Sequence, residues 1–214
     1  MLMCDSKGGS MCGRYNFTVE QSEEIQEILE KVNAKFHGKE VKTGEIFPTN
    51  AVPILIREDK GSSAELSLEA SSRLPQGVSP VISNWGFPKF DQKGVIINAR
   101  SETAFEKRTF RDSLLNRRCI IPSTGFYEWD SSKQKFLFRQ EGTNALYMAG
   151  LYSFYQGEMR FVILTTQAND SMKAVHHRMP LVIPRDEIET WIFDYDATNA
   201  ILKRTPPQLI MEAV

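Results

Sequence analysis

Apolar positions recur at helical spacing in one early stretch. Ile25, Ile28, Leu29, Val32 and Phe36 fall on one face, which predicts a helix over 18–36. Thr18, with Gln21 three residues on, has the form of a capping box at its start. After a loop with Pro48 and Asn50, the run AVPILIR (51–57) reads as a buried strand. AELSLEA (64–70) alternates polar and apolar and reads as a half-exposed one. Residues 71–80 hold Pro, Gly and Ser and form a loop, too short for a domain linker. Short apolar runs then predict strands over 81–86, 94–99, 118–121, 125–129, 135–139, 145–152 and 159–166, with helices over 104–116 and 186–193. Many short strands with few helices predict an α+β domain with a mostly antiparallel sheet system. Residues 1–10, MLMCDSKGGS, carry no period and run into a second methionine, Met11. They divide the chain into a leader, tag or mis-assigned start (1–11) and a single domain (12–214).

Composition narrows the function classes. With 214 residues, 41% hydrophobic and 25% charged, the chain can build one core. No apolar run approaches the roughly 20 residues a membrane helix needs. Twenty-six Lys and Arg against 27 Asp and Glu leave a net charge of -1, so nucleic-acid binding requires a local basic surface. Cysteines at 4, 12 and 119, without a C-x-x-C pair, argue against a disulfide framework and fit a reducing cytosol. With three histidines, a structural zinc site is not expected. There is no signal-peptide pattern at the N-terminus, and a soluble cytoplasmic protein is expected.

Four stretches place reactive groups beside strand-forming residues: Met11-Cys12-Gly13-Arg14-Tyr15, Ile97 to Thr103 (INARSET), Gly125-Phe126-Tyr127-Glu128-Trp129 and Val175 to Pro180 (VHHRMP). Cys12 reads either as a small buried hydrophobe or as a nucleophile with Arg14 nearby. If Met11 is the true start and is removed, Cys12 carries an α-amine and a thiol on adjacent carbons. A free α-amine has a pKa of about 7.7 to 8.0, so part of it is neutral near pH 7.5. Such a 1,2-aminothiol condenses with an aldehyde to an imine and closes to a thiazolidine. Glu128 is either an outward, solvated strand position or a held acid. Asn98 is a turn former or a site residue. His176 and His177 are adjacent, so on a strand they face opposite sides and at most one enters a given pocket. Arg178 reads as a surface charge or a phosphate ligand. Lys107, Arg108, Arg111, Arg117 and Arg118 form a solvated helix face or a backbone-binding flank, with Trp85 and Trp129 as base-stacking candidates.

Taken together and in this order, M-C-G-R, N-A-R-x-E-T, G-F-Y-E-W and H-x-R-x-P resemble the SRAP family, the SOS response-associated peptidase domain of abasic-site processing proteins. The resemblance runs from Met11 to near the C-terminus. It implies a curved, barrel-like sheet system with a few flanking helices. It also implies single-stranded DNA binding and a covalent link to abasic sites through an N-terminal cysteine, with possible strand cleavage and self-removal of the residues ahead of it. By position, Cys12, Asn98, Glu128 and His176 match the catalytic residues. Arg14, Arg100 and Arg178 match DNA-facing basic positions, and Thr165 and Trp129 match pocket-lining ones. No metal or cofactor is called for. The expected partner is single-stranded DNA with abasic sites, the expected state a monomer without membrane association. The expected location is the bacterial cytosol, associated with the nucleoid. Gly44-Glu45-Ile46-Phe47 departs from the family pattern, in which many members carry an asparagine before Pro48. Two rival classes remain from residue types: a cysteine-type autopeptidase using Cys12 and His176, and a non-catalytic single-stranded DNA-binding module.

Overall fold

The computed structural model describes residues 13–58 and 72–214, apart from the side chain of Gln21. Cys12, the segment 1–11 and the strand expected over 64–70 lie outside the described residues.

The core is a closed ring of five strands: β3 (Ala51–Arg57), β4 (Val78–Trp85), β8 (Arg118–Ser123), β11 (Leu146–Tyr155) and β12 (Glu158–Gln167), paired in the order β11-β8-β3-β4-β12 and closed by β12 on β11. The β11–β12 hairpin aligns Gly150 with Ile163, and β8 aligns Cys119 with Gly150. β4 meets β12 in parallel at Phe161 and Trp85. A closed ring leaves no open edge. Ile54, Leu55, Ile120, Ile121, Met148, Leu151, Phe161 and Ile163 are buried. The barrel-like expectation is borne out. Two short strands extend β12 on opposite flanks: β7 (Asn98–Arg100), parallel, and β13 (Arg178–Pro180), antiparallel.

A second, five-stranded antiparallel sheet has the order β14-β10-β9-β1-β2. Its strands are β1 (Arg14–Phe17), β2 (Gly44–Ile46), β9 (Gly125–Trp129), β10 (Lys135–Gln140) and β14 (Leu209–Ala213). The chain passes from barrel to sheet between β8 and β9 through Thr124, whose N–H donates to the Asn16 carbonyl at 2.8 Å. A two-stranded hairpin, β5 (Phe87–Pro88) with β6 (Val95–Ile96), leads into β7.

The first helix, α1 (Glu23–Lys35), buries Ile25, Ile28 and Val32. Its start differs from the sequence reading. Thr18 precedes a 3-10 turn at Val19–Gln21 and makes no cap bond there. Ser22 is the N-cap, its hydroxyl accepting from the Ile25 N–H. The second helix, α2 (Arg108–Asn116), begins four residues later than expected because Ser101–Thr103 forms a separate 3-10 turn. The helix expected over 186–193 is a 3-10 turn at Arg185–Glu187 followed by α3 (Ile188–Phe193). α4 (Tyr195–Leu202) and β1, β2, β13 and β14 carried no clear period and were not expected. Among the described residues, no helix is long and apolar enough to cross a membrane.

Candidate active site

Strand β1 follows Cys12 after a single residue, Gly13, and lies between β9 and β2 in the second sheet. Its alternation is clean: Tyr15 and Phe17 are buried, Arg14 and Asn16 half-buried. Across the β1–β9 ladder, Arg14 faces Tyr127 and Tyr15 faces Phe126. In β9, Phe126 and Glu128 share the inward face, where Phe126 stacks on Phe138 at 5.3 Å between ring centroids. Glu128 is therefore a buried carboxyl, 4% exposed, and not the solvated position an alternating strand allows. A buried carboxyl without a role is costly, which makes this position chemically informative.

The opposite face of the same strands is cationic and aromatic. The Arg14 guanidinium carbon lies 4.5 Å from the Phe47 ring centroid and 4.8 Å from that of Trp129. Lys135 Nζ lies 3.9 Å from the Tyr127 ring centroid. Glu45 accepts from both cations, and their hydrogen bonds outweigh its partial burial and hold its carboxyl below the ordinary range.

The other motifs converge on β12. Asn98 pairs with Ile163 and Arg100 with Thr165 on one side, while Gln167 pairs with Arg178 on the other. Thr165 is buried and donates to the Ala99 carbonyl at 3.4 Å. Arg178 reaches back across β12. Its guanidinium binds both carboxylate oxygens of Glu102 and donates to the Thr165 carbonyl at 2.8 Å. The Arg178 side chain is 8% exposed, and the pair holds the Glu102 carboxyl below its ordinary range. Arg100 is exposed at the end of β7.

His176 lies in the turn before β13, not in a strand. Its ring and that of His177 therefore stand side by side, 4.4 Å apart at 31°, where strand geometry would have put them on opposite faces. His176 Nδ1 lies 3.1 Å from the Arg178 N and 3.2 Å from the Arg178 carbonyl oxygen, so it accepts from the first when unprotonated and donates to the second when it carries the proton. Burial pushes the His176 pKa down, partly offset by the Arg178 backbone. Burial thus favours the neutral imidazole, whose Nε2 donates or accepts according to the tautomer.

Trp85, read as a base-stacking candidate, is a core residue. It has 0% exposure and packs against Tyr15 at 5.3 Å and Phe161 at 6.3 Å. A ring with no open face cannot stack on a base. Its Nε1–H donates to the Ile97 carbonyl at 3.0 Å, so Trp85 ties β1 to the segment that carries Asn98. The basic stretch also divides. Lys107, Arg108 and Arg111 are exposed. Arg117 pairs with Asp112. Arg118 is buried, its guanidinium donating to the carbonyls of Leu114, Leu115, Trp191 and Ile192.

Glu102, Glu45, Phe47 and Lys135 were not given site roles by the sequence. Glu102 had a signal in its place in N-A-R-x-E-T, and Glu45 and Phe47 in the stretch that departs from the family pattern. Lys135 had none, because its role depends on strand pairing. Phe90, fully exposed in the loop between β5 and β6, is an aromatic without a sequence signal. Among the described residues, no group of three or more His, Cys, Asp or Glu side chains could hold a metal ion.

The described elements carry a buried carboxyl on β9, an imidazole before β13 and a cationic, aromatic face on the second sheet. Residues 11–213 match the family model described as SOS response associated peptidase (SRAP). The chain is 31% identical over 196 residues to the abasic site processing protein YoqW of Bacillus subtilis, covering 85% of this chain and 80% of that one. It is 42% identical over 106 residues to the abasic site processing protein YoaM of the same organism, across 47% of that protein. A solved structure of a Bacteroides thetaiotaomicron protein superposes with a TM-score of 0.73 at 22% identity, covering 95% of this chain and 92% of that one. The barrel, the second sheet and the motif order have one common explanation: the chain belongs to the SOS response associated peptidase (SRAP) family.

Proposed function

We propose that this protein binds single-stranded DNA and captures the aldehyde of an abasic site through Cys12 as the N-terminal residue of the active form. The observation that carries this reading is the buried carboxyl of Glu128 on β9, the strand that pairs with β1, which begins two residues after Cys12. An aldehyde-capturing amine needs a proton donor and acceptor held beside it, and a desolvated carboxyl fits that task.

An abasic sugar is mainly a closed hemiacetal. His176 assists ring opening through Nε2, as a donor toward the ring oxygen or, in the other tautomer, as an acceptor from the hydroxyl. The Cys12 amine adds to the freed aldehyde and loses water to give an imine. Glu128 shuttles the proton and stabilises the cationic imine. The thiol then adds to the imine carbon, the nitrogen keeps its pair as an amine, and a thiazolidine closes. The net change is one water released per link. Without ring closure the same imine acidifies the neighbouring C–H, which is the route to strand cleavage. Asn98 fixes geometry without adding charge. Arg14 and Arg100 hold phosphates, and Trp129 stacks against an unpaired base. Arg178, committed to Glu102 and Thr165, positions the histidine turn from inside.

The test is a denaturing gel of the chain beginning at Cys12 mixed with a single-stranded oligonucleotide bearing one abasic site. A boiling-resistant shifted band is expected, absent with Cys12→Ser. Glu128→Gln and His176→Gln are expected to slow its formation by about 10²-fold or more. No band, with the abasic site confirmed intact, contradicts the reading. Peptide cleavage that depends on Cys12 without any DNA adduct would favour the autopeptidase class instead.

A further inference from the structure

The cationic face of the second sheet carries an acid at its centre. Glu45, on the edge strand β2, reaches across β1 and β9. Its Oε1 accepts from Arg14 Nη1 at 3.2 Å and from Lys135 Nζ at 2.8 Å, the latter at the start of β10. The belt therefore crosses four strands, and one carboxylate oxygen holds two cations. All three side chains are part-exposed, Glu45 at 33%, Arg14 at 34% and Lys135 at 26%.

A positioning role does not account for this acid. Arg14 is already held between the Phe47 and Trp129 rings, and Lys135 sits over Tyr127. Part-exposed ion pairs add little stability, so the acid is not needed to hold the fold. What it does is occupy the hydrogen-bonding sites that an incoming anion would use. An oxygen that takes one N–H from a guanidinium and one from an ammonium, each cation itself against aromatic rings, has the surroundings of a phosphate oxygen on a base-stacking platform.

We propose that Glu45 is a built-in phosphate mimic. It occupies a backbone-phosphate subsite of the flanking single strand, formed by Arg14 and Lys135, and the strand must displace it to bind. The proposal rests on the single-strand reading above and goes beyond it by assigning the subsite and its competitor. The consequence is weaker, more selective retention of undamaged single strands, while a strand held covalently at the lesion is little affected.

The experiment measures affinity for an oligonucleotide without an abasic site by fluorescence anisotropy over a series of salt concentrations, with wild type, Glu45→Gln and Glu45→Gln/Lys135→Ala. The amide keeps the shape of the side chain and removes its charge. Glu45→Gln is expected to bind about threefold to tenfold tighter at low salt, as two competing ion pairs are lost. The slope of log affinity against log salt is expected to steepen by about 0.7 for each cation released to a phosphate. The double variant is expected to give back about 0.7 of that slope. If wild type binds and Glu45→Gln binds equally or more weakly, Glu45 is not a competitor and this inference falls alone. If neither form retains the oligonucleotide at low salt, the single-strand reading falls and takes the inference with it.

Discussion

His176 Nδ1 meets both the N–H and the carbonyl of Arg178, and burial lowers its pKa beneath the ordinary 6.5. The neutral form therefore persists below the pH at which a free histidine takes its proton. The rate of adduct formation should fall on the acid side as the Cys12 α-amine takes up its proton, with no further break from His176 until below pH 6.5, and His176→Gln should lower the rate by a near-constant factor across that range. Rates from quenched gels across pH check this. Stability follows the same sign. The unfolded chain takes up the His176 proton first, so this residue's contribution is present above pH 6.5 and is lost as pH falls through the lower folded value. Arg178 and Glu102 behave differently. Glu102→Gln leaves the buried Arg178 guanidinium, 8% exposed, without its counter-charge. A loss of about 2 kcal/mol is expected in chemical denaturation, below the cost for a fully buried pair because Glu102 is 41% exposed. At this scale the sequence marks residue types but not burial. Arg178 and Trp85 read as surface contacts, yet both turn inward, since partners distant in sequence consume their donors.

Elements show where local signals suffice. The run 51–57 and the motif 125–129 match β3 and β9 to the residue, because each is bounded by turn formers and carries a strand-like pattern. The short strands β1, β2 and β13 are invisible to periodicity. They hold three or four residues each and exist because longer neighbours supply their ladders. Gly125 explains one motif letter. Its φ is +152°, and an added Cβ would stand 2.6 Å from the Phe138 carbonyl oxygen and 2.9 Å from Leu137 Cδ1. The glycine allows β9 and β10 to approach where the chain leaves the barrel, which sets the depth of Glu128 three residues on. Gly125→Ala is expected to cost about 3 kcal/mol and to depress adduct formation with it. Thermal melting beside the gel assay checks both, and an alanine variant with unchanged stability would contradict the packing argument.

Over the whole molecule, the barrel is a scaffold and the second sheet brings its strands to it. The α+β class and the curved sheet system were legible, the first from many short apolar runs, the second from the motif order. How β1 and the β12 cluster relate was not, because the link runs through the packing of Tyr15 on Trp85 and the Trp85 hydrogen bond to the Ile97 carbonyl, contacts that no sequence spacing sets. Trp85→Phe keeps an aromatic ring at the site but leaves a cavity and deletes that hydrogen bond. A loss of about 2 kcal/mol is expected, with slower adduct formation. The central claim is that an N-terminal aminothiol at Cys12 captures the abasic aldehyde, and intact mass spectrometry of the isolated protein–DNA adduct tests it most directly. The account predicts a species equal to the chain from Cys12 plus the oligonucleotide, less one water, that stays unreduced under borohydride because a closed thiazolidine has no C=N bond. An adduct that retains residues 1–11, or a mass with no water lost, would contradict it.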